Sequence, residues 1–227
     1  MTEIRLVSTL AVMGAMPELI ARYKAAGSPI NADFAPTLAL LDRLRAGEAA
    51  DVAILTAQGI DDLIAEGVIA SGTRTDIARS FVGLAVKAGA PKPDITTVER
   101  FKATLLEARS VAYSKIGASG IFFAGLLDRL GIAGAVRSLI VPSGFTAERL
   151  ITGEADLAVQ QISELMMVPG IEVVGPLPPE IQTVAIFAGG LLTRSSHPEY
   201  ATALLRSFAS PDIAPVLQRT GLEPARS

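Results

Sequence analysis

Residues 110–131 read SVAYSKIGASGIFFAGLLDRLG, and the fold turns on how this stretch is parsed. Ser110, Val111, Ala112 and Tyr113 make a short, β-prone apolar run, whereas Phe122, Phe123, Leu126, Leu127 and Leu130 recur at helical spacing. A loop of small residues, 114–120, separates them. The parse is strand, loop, helix, and the helix start at Gly117, Ala118, Ser119 and Gly120 carries almost no side-chain bulk. Backbone N–H groups at such a start can approach a bound group closely, and the helix dipole favours negative charge there. An ordinary Ser-capped helix after a Gly-containing turn has the same residues. The setting in the chain has to weigh one against the other.

That setting is an alternation of strands and helices. Residues 4–8 read as a first strand and 14–25 as a helix, with Ser8 and Thr9 near the junction. Hydroxyls at the carboxyl end of a first parallel strand fall where open α/β sheets bind ligands, or else cap the next helix. Residues 30–34 read as a second strand, and Thr37, in a position like that of Thr9, precedes a helix marked by leucines 38, 41 and 44. The run 52–55 is continuously apolar, as central parallel strands are, and 61–66 is a short helix. Beyond it come a strand at 80–86, a Gly/Pro/Lys loop at 88–94 and a helix at 97–107. After the opening stretch follow a strand at 136–141, a helix at 146–152 and a strand at 157–161.

The turn Gly47-Glu48-Ala49-Ala50-Asp51 before one apolar strand returns as Gly153-Glu154-Ala155-Asp156 before another, which implies two lobes built alike. The second copy ends in Gln160, Gln161 and Ser163, with Glu164 close behind. Two adjacent amides and a hydroxyl are costly to bury without partners, so they either face a polar cleft or bond to neighbouring loops. Glu164 also suits the first turn of a helix, where it complements the dipole. Pro176, Pro178 and Pro179 mark a stiff loop, 183–192 a strand returning to the first lobe, and 200–208 and 211–219 two closing helices. His197, just before Pro198, reads as a residue of a helix cap region.

The 227 residues are 50% hydrophobic but only 5% aromatic, which suits parallel strands covered by helices on both faces. A formal charge of -3 without a Lys/Arg cluster speaks against nucleic-acid binding, so an anionic ligand has to be held by local donors. With no cysteine and one histidine, thiolate nucleophiles, Cys-based zinc sites and His-rich metal sites are excluded, and no cofactor is expected. No apolar run reaches the ~20 residues of a membrane span. The residues from Met1 onward show no basic region, long apolar segment or cleavage site. The expectation is a cytoplasmic protein, or a periplasmic one if an export signal has been removed.

The order of these pieces resembles the type II periplasmic-binding-protein family, and more narrowly its molybdate-binding-protein-like branch. The residues that carry the likeness are FAPTLALLDRLRAGEAADVAIL at 34–55, SVAYSKIGASGIFFAGLLDRLGI at 110–132 and ITGEADLAVQQISEL at 151–165. The resemblance implies an α/β fold of two lobes, 1–80 plus 190–227 and 81–189, joined by two crossovers, with a ligand cleft between the lobes. It implies a small oxyanion or carboxylate as ligand, held by hydroxyls and helix-start amides. Carried over by position, the donors fall on Thr9 with Ser8 beside it, on Thr37, and on Ala118 and Ser119 with Ser114 at the loop entrance; the strand-end position falls on Gln160, with Gln161 next to it. Where molybdate binders carry Val-Tyr after the second acidic turn this chain has Gln160-Gln161, and a ligand-contacting Tyr is replaced by Phe187, which points away from molybdate. The phrase QISEL with the prolines after it is more similar to a subgroup that includes aconitate isomerases.

Two functions follow from the resemblance. One is capture of a small anion, for which no catalyst is required; a transporter partner is not expected without an export signal. The other is a cofactor-independent isomerase that moves a proton along an unsaturated polycarboxylate, which needs a base and donors aimed at the developing negative charge. Lys115, inside the loop, and Glu164 are the candidate bases. Lys115 serves equally well as a charge clamp or a solvated loop residue.

Overall fold

A computed structural model describes residues 3–24 and 29–225. Ala25, the expected end of the first helix, and the first two residues lie outside that range. In chain order the elements are β1 (Ile4–Thr9), α1 (Met16–Lys24), β2 (Ile30–Ala35), α2 (Thr37–Arg45), β3 (Val52–Thr56), α3 (Ala57–Ala65) and β4 (Thr75–Lys87). Next come α4 (Val98–Glu107), β5 (Val111–Ser114), α5 (Ala118–Arg129), β6 (Ser138–Val141), α6 (Glu148–Ile151), β7 (Leu157–Gln161), α7 (Ile162–Leu165) and β8 (Ile171–Pro176). The chain closes with β9 (Val184–Leu191), α8 (Pro198–Phe208), α9 (Ala214–Arg219) and β10 (Glu223–Pro224). It divides into two compact units, 1–80 with 185–227, and 81–184. The second boundary falls at 184/185 because all but the first residue of β9 belongs to the first unit, where the sequence placed it at 189/190.

In the first unit β1 lies between β2 and β3, parallel to both, and β9 runs antiparallel to β3. β10 adds to the first half of β4 through Arg79 and Ala78. Alternation sorts the side chains to two faces. Leu6, Val52 and Ile54 join one apolar cluster with Leu19, Phe187 and Phe208, whereas Val7, Ala53 and Leu55 join another with Leu40, Leu44, Ile60 and Leu63. Burial on both faces is why 52–55 of β3 reads as a continuously apolar run.

The second unit repeats the plan. β5 lies between β6 and β7, parallel to both, and the second half of β4 runs antiparallel to β7 and β8. Val111, Tyr113, Leu157 and Val159 pack with Phe101, Leu105 and Phe123, while Ala112 and Ala158 face Leu150 and Leu165. Tyr113 and Phe123 meet edge to face with centroids 5.2 Å apart, which locks the strand and helix of the opening stretch together.

The repeated acidic turn has a physical role in each unit. Asp51 accepts the Arg5 N–H of β1 at 2.9 Å, and Asp156 accepts the Arg109 N–H just before β5 at 2.9 Å. In both copies the aspartate therefore ties the start of its own strand to the start of the neighbouring parallel one. Gly47 and Gly153 stand at φ 87° and 76°, where a side chain would strain the turn. Asp51 further accepts Ser195 Oγ at 2.6 Å and the Ser196 N–H at 3.2 Å, which fixes the turn after β9. These donors hold its carboxyl below the usual range although burial opposes them. Among the described residues no helix is long and apolar enough to cross a membrane.

Candidate functional site

Both units gather their polar residues at the carboxyl ends of parallel strands, where α/β sheets bind ligands. In the first unit Thr9 ends β1 in register with Ala35 of β2, and α2 starts two residues later at Thr37. Ser8 is fully buried and donates to the Thr9 carbonyl at 3.3 Å, so its hydroxyl is occupied locally. Thr9 is buried and leads into the short turn Leu10–Val12 without capping it through its side chain. Thr37 is buried at the first position of α2, and its Oγ1 has no partner within the protein.

In the second unit Ser114 ends β5 and accepts the Gly117 N–H through its Oγ at 2.9 Å, which leaves its own proton free to donate. This bond closes the loop. Behind it Gly120 lies against Ser114 so tightly that a Cβ would come 1.8 Å from the Ser114 carbonyl oxygen. Ala118 begins α5 half-buried. Ser119, at the second position, is 2% exposed, and its Oγ has no partner. Thr37 and Ser119 are thus two buried hydroxyls at the starts of helices, beside the first N–H groups that a helix itself leaves unanswered. Lys115 is exposed on the loop, its N–H donating to the Val141 carbonyl at 2.8 Å.

The two adjacent glutamines part company. Gln160 accepts the Thr146 N–H at 2.8 Å and the Thr146 hydroxyl at 2.9 Å through Oε1, and its Nε2 donates to the Gly144 carbonyl at 3.3 Å. It is spent on the turn before α6. Gln161 is equally buried, 2% exposed; it is the N-cap of α7, in a capping box with Glu164, although its Oε1 makes no hydrogen bond of full geometry. Glu164, three residues on, accepts the Gln161 N–H at 3.3 Å. Burial pushes its carboxyl up to about 7, against the smaller lowering effect of the Gln161 N–H and the Gln160 side chain. A carboxyl tuned to neutrality can both take and return a proton.

The family model for bacterial extracellular solute-binding proteins matches residues 4–223. The chain belongs to this family. As a solute-binding protein of this kind it is 37% identical to an aconitate isomerase from a Pseudomonas species, over 98% of this chain and 88% of that one. Among solved structures, the periplasmic molybdate-binding protein of Azotobacter vinelandii superposes with a TM-score of 0.80 at 15% identity, covering 96% of this chain and 98% of its own. The sulfate-binding protein of Mycobacterium tuberculosis H37Rv gives 0.72 at 16% identity, over 100% of this chain and 88% of that one. At such identities the structural likeness speaks for the fold, which is that of the periplasmic binding proteins expected from residues 34–55, 110–132 and 151–165.

For this solute-binding protein the sequence reading missed Thr146, the partner of Gln160, and the anchoring work of Asp51. Asp51 had a signal, since its turn is repeated at Asp156; Thr146 had none beyond its place before a short helix.

Proposed function

We propose that this chain binds a small unsaturated polycarboxylate and isomerises aconitate by an allylic proton shift. The observation that carries the reading is the 37% identity with an aconitate isomerase along 98% of the chain. The geometry supplies parts such a reaction needs. A base removes a proton from the methylene carbon next to one carboxylate, the double bond moves, and the proton returns to the carbon that was vinylic. Negative charge spreads over the carboxylates in between, so hydrogen-bond donors placed there lower the barrier.

Glu164 is our base. Its carboxyl near pH 7 is available in both protonation states at neutrality, whereas Lys115 is exposed and serves as a charge that attracts the anion. Thr37, Ser119 and the Ser114 hydroxyl, with the helix-start N–H groups of α2 and α5, are our carboxylate donors. Thr9, buried at the end of β1, remains a candidate donor of the first unit, whereas the Ser8 hydroxyl and the Gln160 amide are engaged by their own units.

The experiment is incubation with cis- or trans-aconitate in deuterated buffer, with carbon-bound protons followed by NMR. Isomerisation with deuterium entry is expected, and Glu164→Gln should slow it by roughly 10²–10⁴-fold, the usual contribution of a general base. The family description favours a second reading, a receptor that binds the anion without chemistry. Binding without exchange above the protein-free control selects it. From the same description we take the extracytoplasmic side, rather than the cytoplasm, as the compartment; fractionation of the native host tests it.

A further inference from the structure

Glu164, the base of the reading above, stands on a helix of only four residues, so its carboxyl has to be held largely from outside α7. α7 packs against β7 and β8. Its first residue, Ile162, lies over Gly83 of β4, where a Cβ would come 2.6 Å from Ile162 Cγ1, and Leu165 joins the cluster of Ala112 and Ala158. These contacts seat the helix. Orienting a carboxylate takes hydrogen-bond donors.

One donor is the Gln161 N–H, at 3.3 Å from Glu164 Oε2. The other is the side chain of Gln160, which hydrogen-bonds the same carboxyl. Which end of that amide faces Glu164 is decided by Thr146. The Thr146 N–H, 2.8 Å from Oε1, can only donate, so the amide oxygen has to lie on that side, and the Thr146 hydroxyl adds a second bond at 2.9 Å. Nε2 is thereby turned the other way, toward the Gly144 carbonyl at 3.3 Å and the Glu164 carboxyl. Thr146 is fully buried and Gln160 is 2% exposed, so this chain of bonds runs away from solvent. Both donors favour the ionised carboxylate, the form that takes a proton from carbon. Charged neighbours do not share this work: β7 has no titratable side chain, Glu172 of β8 is paired with Lys92 at 2.9 Å, and Arg149 of α6 with Glu154 at 3.1 Å. Glu148 of α6 and Lys87 at the end of β4 are exposed, and Tyr113 of β5 packs on Phe123.

We infer that Gln160 is a positioning residue for Glu164 and that Thr146 is the anchor that aims it: the pinned amide donates through Nε2 to the carboxylate and holds it where it takes the substrate's proton. The inference rests on the isomerase reading above. It places a relay of two uncharged side chains, Thr146 to Gln160, behind the base.

The test follows aconitate turnover from about pH 5 to 9 in the wild type, Gln160→Leu, Thr146→Val and Thr146→Ser, and titrates the Glu164 carboxyl of each ligand-free protein by carbon-13 NMR. A base has to be ionised to act, so kcat rises with pH through the value of Glu164 in the complex. Loss of a hydrogen bond to the carboxylate should move that limb, and the NMR midpoint, up by about 1–2 pH units in Gln160→Leu. On the plateau kcat should fall about tenfold while KM changes less than about threefold. Thr146→Val keeps the N–H and loses the hydroxyl, so it should shift both readouts the same way by about 0.5 unit; Thr146→Ser keeps both donors and should restore them. A limb and midpoint that stay in place in Gln160→Leu overturn the inference and leave the isomerase reading standing, and a fall in kcat at an unmoved limb, which marks general damage, does the same. So does a rise in KM with kcat intact, which puts Gln160 on the ligand. A Thr146→Ser variant no better than Thr146→Val also overturns it. If the wild type turns over no aconitate, the isomerase reading fails and the inference falls with it. Circular dichroism checks the folding of Gln160→Leu, and Thr146→Val with its serine rescue decides the matter if that variant does not fold.

Discussion

Replacing Glu164 by Gln should change how the stability of this protein depends on pH. The carboxyl is 6% exposed, so its protonated form is favoured by burial, and its folded value of about 7 stands above the 4.5 of an unfolded glutamate. The folded state thus holds a proton that the unfolded state has released over the interval between those values. The stabilisation this gives is complete below pH 4.5 and is lost as pH rises through about 7. A gap of that size corresponds to ~3 kcal/mol at 1.36 kcal/mol per unit. The glutamine of the variant is a neutral isostere of the protonated acid, with a carbonyl to accept the Gln161 N–H, so the variant should match the wild type near pH 5. At pH 8 it should be more stable by about 3 kcal/mol, or roughly 6–12 °C in Tm for a chain of this size.

Other groups do not blur the comparison. Glu18, Glu48, Asp51, Glu66, Glu154, Asp156 and Glu172 are all held below their usual values, by Arg or Lys partners, for Glu154 by the Thr152 hydroxyl ahead of Arg149, and for Asp51 against its burial by hydroxyl and N–H donors. Their stabilisation is present above the unfolded values and lost only as pH falls below them, outside the interval from 5 to 8. His197 is common to both proteins and cancels in the difference. Urea unfolding of ligand-free wild type and variant at pH 5, 6, 7 and 8 reads the effect directly. Parallel stability curves across that range would refute the account of Glu164, and with it the proton-shuttling role assigned to this residue.

Thr37→Ala and Ser119→Ala should each weaken ligand binding by roughly 1.5–3 kcal/mol while leaving unliganded stability unchanged or slightly raised, because each hydroxyl lacks a partner within the protein; calorimetry and thermal melting separate the two effects. Asp51→Ala strands the Arg5 and Ser196 N–H groups and the Ser195 hydroxyl and should cost about 2–4 kcal/mol in urea unfolding. Gly120→Ala drives a Cβ into the Ser114 carbonyl, so a loss of about 1–3 kcal/mol of stability is expected, accompanied by weaker anion binding as the loop is displaced. Gln160→Leu should destabilise the protein in the same assay without abolishing binding, since its contacts run to Thr146 and Gly144.

The alternation of strands and helices was legible because parallel strands buried on both faces carry their own signature. β3 and β5 are apolar up to their last residue, β1 and β7 carry apolar stretches at 6–7 and 157–159 ahead of their polar ends, and all four are set off by turns containing Gly, Ser or Asp. β8 carries no such signature. Every residue from Ile171 to Gly175 is only partly buried, and the segment runs into Pro176, where the sequence marks a stiff loop. It forms a strand because it lies on an edge, paired only with β4, where proline and glycine are tolerated. α3 starts at Ala57, four residues before the sequence placed it, because the Thr56 hydroxyl accepts the Gly59 N–H at 3.2 Å. That cap was readable from Thr56, but the strand expected at 52–55 and the helix expected at 61–66 left 56–60 unassigned.

The donors at Thr37 and Ser119 were legible for a related reason: hydroxyls beside helix starts are local signals, fixed by a few neighbouring residues. The division of labour between Gln160 and Gln161 was not, although period-two alternation already forbids adjacent strand residues from facing the same way. Sequence thus says that the two amides differ, and leaves open which one the protein keeps for itself. The answer came from a contact distant in the chain, since Thr146 reaches Gln160 from the turn before α6. The protonation of Glu164 has the same origin. Nothing local distinguishes it from any acidic residue in a first helical turn, and only the packing of Leu165 against Ala112 and Ala158 draws α7 far enough into the unit to desolvate it. The elements that bind are therefore written locally, whereas a carboxyl tuned to move a proton is made by tertiary packing, which is why a binding-protein fold can acquire chemistry with few changes in its strand and helix signals.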